Sequence, residues 1–350
     1  MTGFLNRTLI AAAALAAATG IAFAQESKVE QPDVKLSLDW AFQGPQSVYL
    51  YGLEKNFYKA HGLNVQVDRG SGSGDTVLRV ASGAYDFGWA DIASMAKFNL
   101  QNPDKQLVAV YMTGANSPLA VVSVKGRGIE EPKDLAGKTL TATASSSALA
   151  LFDVFAEKAG FDSKSVTWKQ VSGQLREPMM VRGESDALAG FTTSSIMTVA
   201  DLGVAQDDIV VFRYNDYGVK QYGTAIMVRP EFLEKNPETV RAMVAAINDS
   251  FKAAIEDPTA SVATIKARDS LANPAVECPR LIEGLKNLTL SDEFKKEGLS
   301  TVDMDRLAAS IDEIKQVYKL DGDLPLDHVY RSDFLPSKED RMPPELGTCS

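Results

Sequence analysis

The chain is poor in the side chains that bind metals and carry most redox chemistry. It has two histidines, His61 and His328, and two cysteines, Cys278 and Cys349. No HExxH, CxxC or histidine-rich tract occurs, so the ligand spacing that zinc or haem sites need is absent. Positive charge is scarce too. Lysine and arginine total 36 against 46 acidic residues, a net charge of −10, and no basic cluster exceeds two or three residues. A nucleic-acid binder needs a basic footprint, so nucleic acid is excluded as a partner. There is no Gly-x-Ser-x-Gly elbow. A Ser/His triad would have to use His61, in a turn that ends a helix, or His328, in a proline-rich tail. Gly137-Lys138-Thr139 looks like the end of a phosphate loop, but Pro132 stands where the leading glycine should be. No enzyme chemistry and no cofactor are expected.

What is present is an ordinary globular balance. Of 350 residues, 45% are hydrophobic and 23% charged, which suits about two domains. Residues 1–24 read as a secretory signal peptide. Arg7 supplies the positive end, residues 9–18 an apolar stretch, and Ala22-Phe23-Ala24 a small-x-small cleavage site. No cysteine sits at the cleavage point, and no later run approaches the ~18 apolar residues of a membrane span. Export to the periplasm is expected, with cleavage after Ala24. An even cysteine count in an oxidising compartment then predicts a Cys278–Cys349 disulfide that pins the proline-rich tail.

Strand and helix patterns alternate in two series. Residues 34–40, 63–67, 85–89 and 107–112 read as strands, with helices over 44–58, 75–81 and 92–100. An extended run follows at 119–124. The second series has strands at 138–143, 166–171, 187–191 and 209–213, with helices over 147–158, 177–181 and 195–202. A strand at 225–228 returns, and the rest is helical. Asn236 is a candidate N-cap, with Pro237 next and an apolar stripe of Val240, Met243, Val244, Ile247, Phe251 and Ile255 behind it. This pattern predicts an α/β fold with mainly parallel sheets in two lobes. Lobe 1 is expected over 33–121 and 224–320, lobe 2 over 122–223, and a tail over 321–350. Crossings are expected near 119–124 and 222–228. The cleft between such lobes can close on a ligand.

Leu38-Asp39-Trp40, Gly52 to Tyr58, Gly62 to Val65 and the run from Val80 to Asp91 (VASGAYDFGWAD) together resemble the exported solute-binding proteins of ABC importers. The similar group serves nitrate, sulfonates, taurine and thiamine-pyrimidine precursors. Ile129 to Lys138, Val181 to Leu188 and Tyr222 to Ile226 fit the same pattern. The resemblance covers about residues 34–257. It implies a type II periplasmic-binding fold hinged by two crossing strands. It also implies a monomer that captures a small molecule and hands it to a membrane permease. Fungal enzymes that make the thiamine pyrimidine share this fold, but they use a cysteine-rich segment that this chain lacks. A periplasmic adaptor that binds a protein partner is a third possibility.

In open α/β sheets, ligands sit beyond the carboxyl ends of strands and near helix N-termini. That rule selects Trp40, Phe42 and Gln43, then Ser71 and Ser73, then Trp89 and Asp91, then Asn116 and Ser117. In the second lobe it selects Ser145 and Ser146, Arg176 and Glu177, Thr192 and Thr193, and finally Tyr214, Asp216 and Tyr217. Each has a structural alternative. Trp40 could end a core strand, Asp91 could cap the next helix, Ser145 and Ser146 could be caps, and Arg176–Glu177 could be a solvated pair. The set holds more aromatic and acidic groups than cationic ones. Burying an anion among carboxylates is costly without a cation. A neutral or cationic ring solute, such as a pyrimidine or thiamine precursor, is therefore expected ahead of a sulfonate, taurine or nitrate anion.

Overall fold

The computed structural model describes residues 29–350. The expected signal peptide at 1–24 lies outside the described residues. The strands are β1 (Asp33–Ser37), β2 (Asn64–Asp68), β3 (Phe87–Asp91), β4 (Val108–Met112), β5 (Leu119–Val124), β6 (Thr139–Ala142), β7 (Thr167–Gln170), β8 (Ala187–Phe191), β9 (Ile209–Arg213) and β10 (Thr224–Val228). They form two five-stranded sheets, ordered β2-β1-β3-β10-β4 and β7-β6-β8-β5-β9. Edge strand β2 alternates exposed and buried residues, whereas β3, β4 and β10 are buried throughout. That is the difference between a strand with one wet face and one covered on both faces.

The sheets are mixed, each with one strand reversed among strands that otherwise run parallel. β1 pairs in parallel with β2 and β3, but β10 pairs antiparallel with both β3 and β4. In the second sheet β6 pairs in parallel with β7 and β8, while β5 is antiparallel to both β8 and β9. Each sheet thus has one reversed strand in the same place, the strand that has just arrived from the other sheet. It needs no helical crossover, so it can enter antiparallel. The chain passes between sheets at 113–118 and 214–223. The boundary expected at 121/122 falls inside β5, all of which pairs in the second sheet.

Two expected helices break. The first gives Gly44–Glu54 and Phe57–Ala60, with Asn56 between them at φ 58°. The other gives Ser147–Ala150 and Phe152–Ala159. Helix Pro237–Glu256 buries its expected stripe. Asn236 makes no side-chain cap there; instead the Glu30 carboxylate accepts from the N–H groups of Glu238 and Thr239 at 3.2 and 2.9 Å.

The tail belongs to the body. Tyr330 forms a parallel bridge to Ala109 along the edge strand β4. Gly347 donates its N–H to Ile255 O at 2.8 Å, and a Cβ there would lie 2.2 Å from Glu256 O. Cys349 is bonded to Cys278, with Cα atoms 5.9 Å apart. The bridge closes a loop of 71 residues, so it removes substantial freedom from the unfolded chain. Replacing Cys278 and Cys349 together by serine should cost about 2–4 kcal/mol in urea unfolding. A loss within error of zero would contradict a tail held mainly by this link.

Candidate functional site

The carboxyl ends of both sheets face a common cavity. About 790 Å³ of empty space, open solvent included, lies between its walls. The first sheet and its helices contribute Asp39 and Trp40 beyond β1, Gln46, Ser73, Trp89 and Thr113. The second contributes Thr143, Ser146, Ser147, Arg176, Phe191 and Thr193. A third wall comes from far along the chain, through Phe251, Leu281, Leu285 and Leu288.

The aromatic walls are held by packing. Trp89 lies 5.0 Å from the Tyr49 ring, and its indole N–H donates to Thr113 Oγ1 at 2.8 Å. Its polar edge is therefore spent internally, and its ring remains as surface. Trp40 meets the Arg176 guanidinium at 5.1 Å from the ring centroid. The far end of the indole sits over Gly173, where a Cβ would come within 2.6 Å of it. Glycine at 173 is a steric requirement of that ring position.

The charges are arranged asymmetrically. Arg176 is the guanidinium in the lining, and it is already paired. Its Nε donates to Glu177 Oε1 at 3.0 Å, and Ser195 Oγ donates to the same oxygen at 2.9 Å. Asp39 has no such counter-ion. Its Oδ1 accepts from Gln46 Nε2 at 3.0 Å, and burial pushes its carboxyl up to about 7. Asp91 also rises to about 7, first from burial and then from the charge of Asp39, against the helix N–H bonds that lower it. Its Oδ1 caps the next helix through Ser94 N at 3.2 Å, and its Oδ2 has no partner. Gln46 Oε1 and Thr143 Oγ1 are buried without a partner as well.

Of the residues expected at the site, Trp40, Trp89 and Ser146 line the cavity, as do Ser73, Arg176 and Thr193. Several others hold the two lobes together at the rim instead. Ser194 Oγ donates to Gln43 Oε1 at 2.7 Å, and Ser145 Oγ donates to the carbonyl of Ser71 at 2.7 Å. Asp91 lies fully buried under the lining, Glu177 behind Arg176, and Thr192 beside Thr193 with its N–H on Pro118 O. Asn116 turns outward to Asn287 O. Tyr214 is in the main hydrophobic core, stacked on Phe155 at 4.4 Å with its hydroxyl on Ala148 O. Tyr217 packs edge-on against the same ring, and Asp216 shares its short turn. The turn after β9 packs its two tyrosines onto Phe155 of the same lobe rather than into the cavity. Asp39 was missed because β1 ends at Ser37, not at Trp40. Gln46, Thr143 and the C-terminal wall were also missed. Nothing local in the sequence marks those last residues.

A family model described as "NMT1/THI5 like" matches residues 46–261. A formylaminopyrimidine-binding protein from Halalkalibacterium halodurans is 23% identical over 242 residues, covering 69% of this chain and 72% of that protein. Among solved structures, the alkanesulfonate-binding protein SsuA of Xanthomonas axonopodis pv. citri, bound to MOPS, superposes with a TM-score of 0.66 at 14% identity, covering 87% of this chain and 99% of that one. The nitrate-binding protein NrtA of Synechocystis PCC 6803 gives 0.64 at 13% identity, covering 88% of each. These structures share the two-lobe periplasmic-binding fold. No helix among the described residues is long and apolar enough to cross a membrane.

The third wall also grips the opposite lobe. Helix Pro274–Gly284 lies so close to Gly44 that a Cβ there would be 2.4 Å from Glu277 O. Glu277 accepts the Gly44 N–H at 2.7 Å, the N-terminal donor that Gln43 leaves uncapped. Its other partner is Arg280, Nε to Oε2 at 3.0 Å, close in distance but without an aligned N–H. The guanidinium, 3% exposed, donates onward to the Thr193 and Ser194 carbonyls of the second lobe. Burial raises the Glu277 pKa, and Arg280 and the Gly44 N–H oppose the rise. Removing Arg280 raises it further, so the folded state holds a proton that the unfolded state has released over a wider window. Stability then falls as pH rises through that window. Arg280→Ala should cost about 3–5 kcal/mol at pH 8, much less at pH 5, and part should return with Glu277→Gln. Denaturation at both pH values checks this; equal losses would contradict an uncompensated carboxylate.

Proposed function

The chain belongs to the NMT1/THI5-like family, and on that premise we propose that it is the exported solute-binding component of an ABC importer. It captures a ring-containing neutral or cationic solute, such as a pyrimidine or thiamine precursor, between its lobes in the periplasm. It then delivers that solute to a membrane permease. The work is binding, with no reaction.

The observation that carries this reading is the pairing state of the charges around the cavity. The guanidinium in the lining is matched by Glu177, while the carboxylate of Asp39 has only neutral amide donors. A sulfonate or nitrate placed here would share the cavity with that acid and meet a guanidinium already matched by Glu177. A planar ring instead meets the indoles of Trp40 and Trp89 in the lining. The pyrimidine named for the Halalkalibacterium halodurans relative fits the same description.

Thermal shifts of the chain without residues 1–24 test it. Pyrimidines, thiamine precursors and flavins form one panel; taurine, alkylsulfonates, nitrate and sulfate form the other. A ligand at ~100–1,000 times its dissociation constant adds about 3–4 kcal/mol, which moves the midpoint by several degrees. The expected result is a shift from the ring panel, with affinity reduced about tenfold in Trp40→Ala. A shift from the anion panel alone would overturn the reading.

A further inference from the structure

We propose that the solute carries a positively charged nitrogen, that Asp39 is its counter-ion, and that Gln46 Oε1 and Thr143 Oγ1 flank it as acceptors. This rests on the reading of the cavity as a ring-solute site and narrows it from neutral or cationic to cationic. Three observations converge. Asp39 lines the cavity at 2% exposure and is held by neutral donors alone, the Gln46 amide and its own backbone N–H. Gln46, 4% exposed, spends its amide N–H on Asp39 and leaves its carbonyl oxygen with no partner. Thr143, 5% exposed and from the opposite lobe, has a hydroxyl with no partner. Buried polar atoms are normally paired, and orphans at a cavity wall mark where a partner belongs. A carboxylate, an amide carbonyl and a hydroxyl together ask for a donor. A charged nitrogen supplies the charge-assisted bond that a buried carboxylate needs most. It also bridges the lobes, since Asp39 and Thr143 come from different sheets.

The other ionisable groups around Asp39 do not fill that role. Asp91, on the neighbouring strand, adds a like charge. Tyr49, from helix Gly44–Glu54, has a phenol pushed well above its usual range, first by burial and then by neighbours that include Asp39. From the turn before Ser73 comes only the Gly72 N–H, which binds the Asp39 backbone carbonyl. Arg176 lines the opposite wall but is matched by Glu177.

The charge state makes the proposal measurable. A cation binds the ionised form of Asp39, whose carboxyl sits at about 7 in the free protein. Binding therefore expels a proton at and below neutral pH, and affinity climbs as pH rises toward 8. With that starting value, affinity should rise about tenfold between pH 6 and pH 8, following the ionised fraction.

The test uses aminopyrimidines that differ in one substituent: aminomethyl (cationic), hydroxymethyl (neutral) and carboxylate (anionic). Each is titrated calorimetrically into the chain without residues 1–24, at several pH values and in buffers of different ionisation enthalpy. We expect the aminomethyl compound to bind at least tenfold more tightly than the hydroxymethyl one, with proton release at pH 6.5. Asp39→Asn should erase that preference and the pH dependence. The wild-type pH series and proton count stand alone if the variant folds poorly. Equal or tighter binding of the neutral compound would overturn the cationic assignment and leave the ring-solute reading intact. Tightest binding of the carboxylate, or no binding by any of the three, would overturn both.

Discussion

Arg280 is buried while reaching from one lobe into the other, and it ties the cavity's C-terminal wall to the second lobe. The two sheets share no strand, and the chain passes between them only at 113–118 and 214–223. Their relative placement must come from contacts across the cleft. They include apolar packing, since one hydrophobic core runs through both lobes, and single hydrogen bonds near the rim, such as Ser194 to Gln43 and Ser145 to Ser71. Arg280 differs because its desolvated charge is balanced by Glu277, which in turn holds the first N–H of helix Gly44–Glu54. One ion pair thus ties a helix terminus of the first lobe to backbone carbonyls of the second. The same helix carries Cys278, bonded to the chain end, and Leu281, a cavity wall. Tail, latch and wall are one mechanical unit.

Within that frame the cavity is unbalanced by design of its charges. Its cation is neutralised and its carboxylate is not. Desolvation is what gives the imbalance force: a carboxyl in water would not need a partner, whereas Asp39 at 2% exposure does. Asp91 sharpens this, since a second buried acid nearby discourages both from ionising without a cation. The proposed role and the electrostatics are therefore the same statement.

Much of the architecture was legible in the residues. Period-two and helical patterns locate the strands, and an even cysteine count with an export signal leads to Cys278–Cys349. The strand-end rule reaches Trp40, Trp89 and Ser146. It fails where tertiary packing turns a strand end away. Tyr214, Asp216 and Tyr217 follow a genuine strand, but the turn after β9 packs its tyrosines onto Phe155. That packing joins residues far apart in the chain, which a local pattern does not encode. Asp39 fell one step outside because the alternation of Val34, Leu36 and Leu38 runs past the last ladder residue, Ser37. The wall at Leu281–Leu288 is amphipathic in sequence, yet its partner lies in both lobes. Its contacts exist only once the chain has folded.

The central claim is that the cavity holds a nitrogen-bearing ring solute. The most direct measurement is native mass spectrometry of the protein taken from the cells that produce it, followed by identification of the released small molecule. The account predicts a compound of at most a few hundred daltons with an aromatic nitrogen heterocycle and a basic nitrogen. A sulfonate, nitrate or other anion held at full occupancy would contradict it.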